Sequence, residues 1–283
     1  LKPSNLSYQI FNRNIAGLSW NASAQVKALA LHGWLDNAAS FSRIAPLMQS
    51  TSLCAIDMAG QGKSDFRSPD STYDLDSELH DLYALSKLFS DGPINLVGHS
   101  RGAIVCALFA AIVPEKVNRM VLIDSIEPFP HQLKDLPNSL AESLRTNASL
   151  RRRSATAYAS REEAVMARSQ SMVPVSQQSA ELFAERNLHK HDGGWAWSSD
   201  QRLKATSAYR ITMEMREDFF SRIQAPTLVI EPEKGLLKLD SRFANAGAAI
   251  PDLTRKTVPG SHHCHMDDCP ELVAELIEDW FST

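Results

Sequence analysis

Short apolar runs alternate along the chain with stretches of helical spacing. Two such runs, around Tyr8–Phe11 and Ile15–Leu18, suggest a leading hairpin. Val26–Leu31, Leu53–Ile56, Ile94–Val97 and Met120–Ile123 are nearly continuous in apolar character, long enough for buried strands and too short for helices. Between them Phe41–Met48 reads as a helix, residues 74–89 place Leu75, Leu79, Leu82 and Leu85 at three- and four-residue spacing, and Ala103–Ala111 forms a further helical run. Buried strands alternating with helices predict a mostly parallel sheet covered on both faces, with ligands at the carboxyl ends of the strands.

After Asp124 the pattern changes. Pro128, Pro130 and Pro137 punctuate the exit, and residues 131–222 show helical periodicity with no convincing buried strand. This segment carries 14 Lys and Arg against 11 Asp and Glu, whereas the remainder carries 15 against 22. The shift predicts one core unit made of residues 1–128 and 223–283, interrupted by a helical cap or lid over 129–222. The strand pattern returns at Pro226–Ile230 and Thr254–Val258, and the chain closes with a helix whose Leu272, Val273, Leu276, Ile277 and Trp280 make one apolar stripe. Arg151-Arg152-Arg153 reads as a solvated helix face, and Trp195 and Trp197 as packing within a Gly-rich loop.

Composition narrows the function classes. A net charge of −4 gives no reason to expect nucleic acid as a partner, and no apolar run approaches the ~20 residues of a membrane span. The first residues, Leu1-Lys2-Pro3-Ser4-Asn5, contain no signal-peptide core. Of the four cysteines, Cys54 and Cys106 lie inside apolar patterns, and the spacing of Cys54, Cys106, Cys264 and Cys269 suggests no disulfide framework. A reducing compartment, the cytoplasm, is the expected location.

The candidate chemistry starts at Gly98-His99-Ser100-Arg101-Gly102, a G-x-S-x-G sequence between a buried strand and a helix. That context is what a nucleophile elbow needs: a strained turn presenting the Ser100 hydroxyl above the sheet, with glycines where the helix passes close to its neighbours. A serine hydroxyl is a poor nucleophile at neutral pH and requires a base, which in turn needs an orienting group. The base candidate is His262, directly after Gly260-Ser261 and the last strand, with His263 and His265 as alternatives. Asp124, at the end of a strand between Ser100 and His262 in the chain, is the candidate acid. Oxyanion donors are expected from the backbone amides of Arg101 and of Trp34, in the His32-Gly33-Trp34 turn. The His/Cys-rich stretch from His262 to Cys269 matches no standard zinc spacing, so no metal is expected there.

The set HGW, DMAGQGKS, GHSRGA, VLIDS and VPGSHHCHM resembles the α/β-hydrolase superfamily over nearly the whole chain. LHGWLDNAASF, SSDQRLKATSAYR and VPGSHHCHM look more narrowly like the serine hydrolase-like proteins. The resemblance implies the α/β-hydrolase fold: an eight-stranded, mostly parallel sheet flanked by helices, a helical cap after strand six, and Ser-acid-His catalysis. Two departures stand out. The D-x-P-G-H-G-x-S turn has Ala59 for Pro and Gln61 for His, and the usual Asp after strand seven falls at Gly235 in Glu231-Pro232-Glu233-Lys234-Gly235. Some members place the acid after strand six, an offset that Asp124 fits; Glu231, Glu233 and Glu127 are the alternatives. Dehalogenases and epoxide hydrolases of this fold use an Asp nucleophile, which Ser100 opposes. Arg101 beside the nucleophile is expected to pair with a carboxylate such as Glu127, rather than with an anionic substrate group.

The expected activity is that of a serine hydrolase acting on a small-molecule carboxylic ester through an acyl-enzyme on Ser100, with no metal or organic cofactor. The alternatives are a catalytically weak small-molecule binding module on the same fold, or the same triad used on thioester, amide or carbon–carbon bonds.

Overall fold

The computed structural model describes residues 2–191 and 193–282. β1 (Ser4–Ile10) and β2 (Arg13–Trp20) form the leading antiparallel hairpin. There follow β3 (Val26–Leu31), β4 (Thr51–Ile56), α1 (Leu75–Phe89), β5 (Ile94–His99), α2 (Arg101–Ile112) and β6 (Val117–Ile123). Next come α3 (Leu136–Leu150), α4 (Arg161–Ser169), α5 (Gln177–Asn187), the strands β7 (Leu188–His191) and β8 (Gly194–Trp197), and α6 (Met213–Ser221). β9 (Thr227–Lys234), α7 (Leu236–Leu239), β10 (Leu253–Ser261) and α8 (Pro270–Ser282) complete the chain.

Eight strands form one sheet in the order β1-β2-β4-β3-β5-β6-β9-β10, antiparallel at the β1-β2-β4 edge and parallel from β4 onward. Strand alternation explains why central runs such as Ala28–Leu31 and Met120–Ile123 are apolar at every position. Leu29, Leu31, Leu96, Leu122 and Val229 face a core shared with α1, α2 and Phe220 of α6. Ala28, Ala30, Val97, Val121 and Ile230 face a second core with Phe41, Ile44 and the Val273 and Ile277 stripe of α8. Neither face can tolerate polar residues, so the pattern loses its period of two. α2 lies at the centre and is buried nearly all round, which fits its Ala- and Leu-rich sequence.

Three expectations need correction. Residues 41–48 do not form an α-helix: the segment holds two short 3₁₀ turns, Ala38–Phe41 and Ala45–Leu47. Pro46 lacks an N–H and disfavours helical backbone at Ala45, so a continuous helix cannot pass. The apolar spacing did mark burial correctly, because Phe41, Ile44 and Met48 are fully buried. The stretch 131–222 is not purely helical either, since β7 and β8 pair as a hairpin that carries Trp195 and Trp197. Its strands are only four residues long, β7 largely exposed and β8 half-buried, so they lack the long apolar runs that mark the main sheet. The Arg151 guanidinium is likewise not simply solvated; it donates to the Pro69 and Asp70 carbonyls. The four cysteines are free thiols, and among the described residues no helix is long and apolar enough to cross a membrane.

The start of α2 lies directly against the end of β3. A Cβ on Gly102 would run into the Leu31 and His32 carbonyl oxygens, which are backbone and cannot swing aside. Gly102→Ala is therefore expected to lower stability by about 1–3 kcal/mol, measured as a shift in the urea unfolding midpoint; an unshifted midpoint would show that α2 can move away from β3.

Candidate active site

Three strand ends meet at one edge of the sheet. β5 stops at His99, and Ser100 turns the chain into α2 with φ 52° and ψ −117°. Such a backbone costs a non-glycine residue about 1–3 kcal/mol, and the surroundings hold it in place. Ser100 N donates to Ile123 O at 3.1 Å, while Ser100 O accepts from Ala103 N at 3.0 Å and Ile104 N at 3.2 Å. Leu35 and Asp124 share the left-handed backbone, so three of the five non-glycine residues with positive φ among those described cluster at this edge. Arg101 opens α2, whose first N–H groups have no partner within the helix and point toward the site.

Asp124 follows β6 and is fully buried. Its Oδ2 accepts from Leu236 N at 2.8 Å and from His262 Nδ1 at 2.7 Å, and its Oδ1 accepts from Leu237 N at 3.2 Å. The position where relatives of this fold were expected to carry their acid is Gly235, and a Cβ there would collide with the Asp124 carboxylate. The two sites compete for one volume. The other acid candidates are engaged elsewhere: Glu231 with Arg255 and with Lys238 at 3.1 Å, and Glu127 with Arg216 at 2.8 Å. Glu233 is exposed.

The His262 loop is tied to the serine turn through His99, whose Nε2 donates to His262 O at 3.0 Å. His99, His262, His263 and His265 form a packed cluster with ring centroids 4.3–6.1 Å apart. Burial, reinforced by the neighbouring imidazoles, holds His99 and His265 well below the ordinary histidine range, so both are neutral. Asp36 lies beside them. Burial alone would raise its carboxyl, but Arg168 at 2.6 Å and His263 at 3.3 Å hold it well below the usual carboxylate range. His263 and His265, the alternative bases, are thus committed to Asp36 and to Ser40, whose Oγ is 3.0 Å from His265 Nε2.

The Trp34 turn is braced from behind. Leu35 N donates to Gln61 Oε1 at 2.7 Å, and His32 Nδ1 donates to Gly33 O at 2.7 Å while its Nε2 accepts from Met58 N at 3.0 Å. Gln61, a departure from the resembled motif, therefore acts on the position of this turn; His32, His99 and Asp36 had no assigned role from sequence. Arg101 does pair with a carboxylate, but with a different one. Its Nε donates to Glu78 Oε1 at 2.8 Å, because α1 packs beside α2 and brings Glu78 closer than Glu127, which Arg216 holds.

Ser100, Trp34 and His262 line one cavity of about 160 Å³, together with Gly33, Asp36, Arg168 and Leu236. Among the described residues no hydrogen bond joins the Ser100 hydroxyl to the His262 ring, although the two line one chamber. Leu35, Arg168 and Ser171 also line a second cavity of about 250 Å³, which extends among Tyr158, Trp197 and Lys204.

Comparison with known proteins adds to this geometry. Residues 29–268 match the alpha/beta hydrolase fold family. The serine hydrolase-like protein of Mus musculus is 30% identical, covering 93% of this chain and 91% of its own. A hypothetical protein from Pseudomonas aeruginosa PAO1 of known structure is 32% identical, with a TM-score of 0.91 over 98% of both chains. The thioesterase domain from the curacin biosynthetic pathway superposes with a TM-score of 0.86 over 98% of this chain and 99% of its own, at 21% identity, a likeness of fold alone.

Competition between positions 124 and 235 can be measured. Gly235→Asp alone is expected to destabilise the protein, and the double variant Asp124→Gly/Gly235→Asp to recover part of that loss. Unfolding free energies of the four proteins should give a favourable coupling of about 0.5–3 kcal/mol; simple additivity would contradict the shared volume.

Proposed function

Because the chain belongs to the α/β-hydrolase fold family, close to the serine hydrolase-like proteins, we propose that it hydrolyses carboxylic esters by a Ser100–His262–Asp124 triad. The observation that carries this reading is the 2.7 Å bond from His262 Nδ1 to buried Asp124, on an imidazole that shares a cavity with Ser100. That bond leaves Nε2 as the free, basic nitrogen of the ring.

In this scheme a side-chain rotation brings the Ser100 hydroxyl within reach of His262 Nε2, a contact that often tightens only when substrate binds. Ser100 Oγ attacks the acyl carbon, and its proton passes to Nε2. The negative charge that develops on the carbonyl oxygen is met by the Arg101 and Trp34 amides, the first aided by the α2 N-terminus. His262 returns the proton to the leaving alcohol, and water then repeats the sequence to release the acid. Asp124 fixes the tautomer and compensates the imidazolium charge. Residues 129–222 serve as the cap in this reading: Arg168 and Trp197 wall the cavities from that segment and give an ester room on either side of the reacting bond.

The absent Ser100–His262 bond favours a second reading, a binding module on the same fold. One experiment separates the two. A series of nitrophenyl esters of increasing acyl length should give saturable turnover, and a fluorophosphonate probe should label the protein at Ser100. Ser100→Ala should abolish labelling and lower turnover by at least ~10³-fold, and Asp124→Asn should lower kcat by on the order of 10⁴-fold through the wrong tautomer. Labelling that survives Ser100→Ala, or no turnover with any ester, would defeat the ester-hydrolase assignment.

A further inference from the structure

Behind the cavity wall lies a group of donors that the scheme above does not use. Asp36 Oδ2 is 3.8 Å from His99 Nδ1 and 3.3 Å from His263 Nε2, and the three atoms all lie within 4.8 Å of one another. All three residues are buried.

His99 is the informative member. Its Nε2 carries the proton, because that nitrogen donates to the His262 carbonyl. Nδ1 faces the Asp36 carboxylate and is fully buried with no hydrogen-bond partner. A buried polar atom left unpaired beside a carboxylate is unfavourable, and a cation between the two would satisfy both. Arg168 does not fill that role, since it is bound to the other oxygen, Oδ1, at 2.6 Å.

From this juxtaposition we propose that Asp36 Oδ2, His99 Nδ1 and His263 Nε2 form a binding site for a single divalent transition-metal ion of the zinc or cobalt type. Bonds of about 2.0–2.1 Å in a tetrahedral arrangement put ligand atoms roughly 3.3 Å apart, so the observed spacings need only small ring rotations. Two imidazoles and one carboxylate suit a borderline ion better than magnesium or calcium, which prefer all-oxygen shells. The supporting shell already exists. A metal-bound imidazole characteristically donates its other N–H to a carbonyl, as His99 does to His262, and a metal-bound carboxylate is itself held by a donor, as Asp36 is by Arg168. Asp36 and His263 line the cavity beside Ser100, which supplies a path for entry. The three donors come from three separate stretches of the chain, so no local spacing in the sequence could reveal them. The stretch from His262 to Cys269 contributes only His263.

The site is testable independently of any hydrolase activity. The full-length protein is titrated with Zn²⁺ against a chromophoric chelator, and with Co²⁺ followed by its visible absorption. The expected result is one ion per chain, with affinity reduced at least about tenfold in both Asp36→Asn and His263→Gln, and retained in His262→Gln and Cys269→Ser. Circular dichroism checks folding; should Asp36→Asn unfold because Arg168 loses its partner, His263→Gln carries the test alone. Failure to compete with the chelator would overturn the proposal. So would affinity unchanged by His263→Gln, or affinity lost equally in His262→Gln or Cys269→Ser, which would place the ion on the loop instead.

Discussion

The carboxylate of Asp124 is fully buried, and it is sustained there by three donors: the amides of Leu236 and Leu237 and the ring of His262. An ionised group in such surroundings is tolerable only when its lone pairs are met by well-placed hydrogen bonds. Each donor comes from a different part of the chain than the acceptor, so the arrangement depends on the sheet. β6 lies between β5 and β9, with β10 beyond, and this order brings the ends of all four strands to one edge. A shift of register in any of them would leave a buried carboxylate with an incomplete set of partners.

The main sheet was legible because a two-sided parallel sheet admits only apolar residues, and Val26–Leu31 and Met120–Ile123 stand out for that reason. The tight turn at Ser100 was legible because few sequences join a buried strand to a buried helix through Gly-x-Ser-x-Gly. Asp124 could be proposed on chain order and offset, but the ion pairs of Glu231 with Arg255 and of Glu127 with Arg216 could not be foreseen. Such pairings join residues far apart in sequence and leave no periodic trace. The same holds for Arg101, whose partner Glu78 depends on how α1 lies against α2. The misread helix at 41–48 has a local cause in Pro46, and the hairpin of β7 and β8 escaped notice because its strands are only four residues long and β7 is largely exposed.

The histidine cluster illustrates how one residue type takes different roles by position. His262 meets a carboxylate and a cavity, His99 spans from the serine turn to the His262 carbonyl, His263 meets Asp36, and His265 meets Ser40. The neutral state of His99 and His265 follows from burial among other imidazoles, where a second positive charge would be repelled. The adjacent negative charge of Asp36 is balanced by Arg168 from α4, so the electrostatics of this edge of the core are completed by a side chain from the segment between β6 and β9.

That segment grips the core at several loops, among them the one after β3: besides the bond from Tyr73 Oη to Asp200 Oδ2 at 2.9 Å and that from Arg202 to Arg67 O at 2.8 Å, there is a cluster around residues 34–37 and 57. Trp34 donates its indole N–H to Leu203 O at 2.9 Å, Asp36 holds Arg168, Asn37 donates to Phe183 O at 3.1 Å, and Asp57 holds Arg186 at 2.7 Å. The segment is therefore not an interchangeable module. Grafting its counterpart from a relative onto this scaffold would carry over the outer walls but discard these anchor points, and successful chimaeras would have to transplant their partners in the core, residues 34–37 and 57 among them.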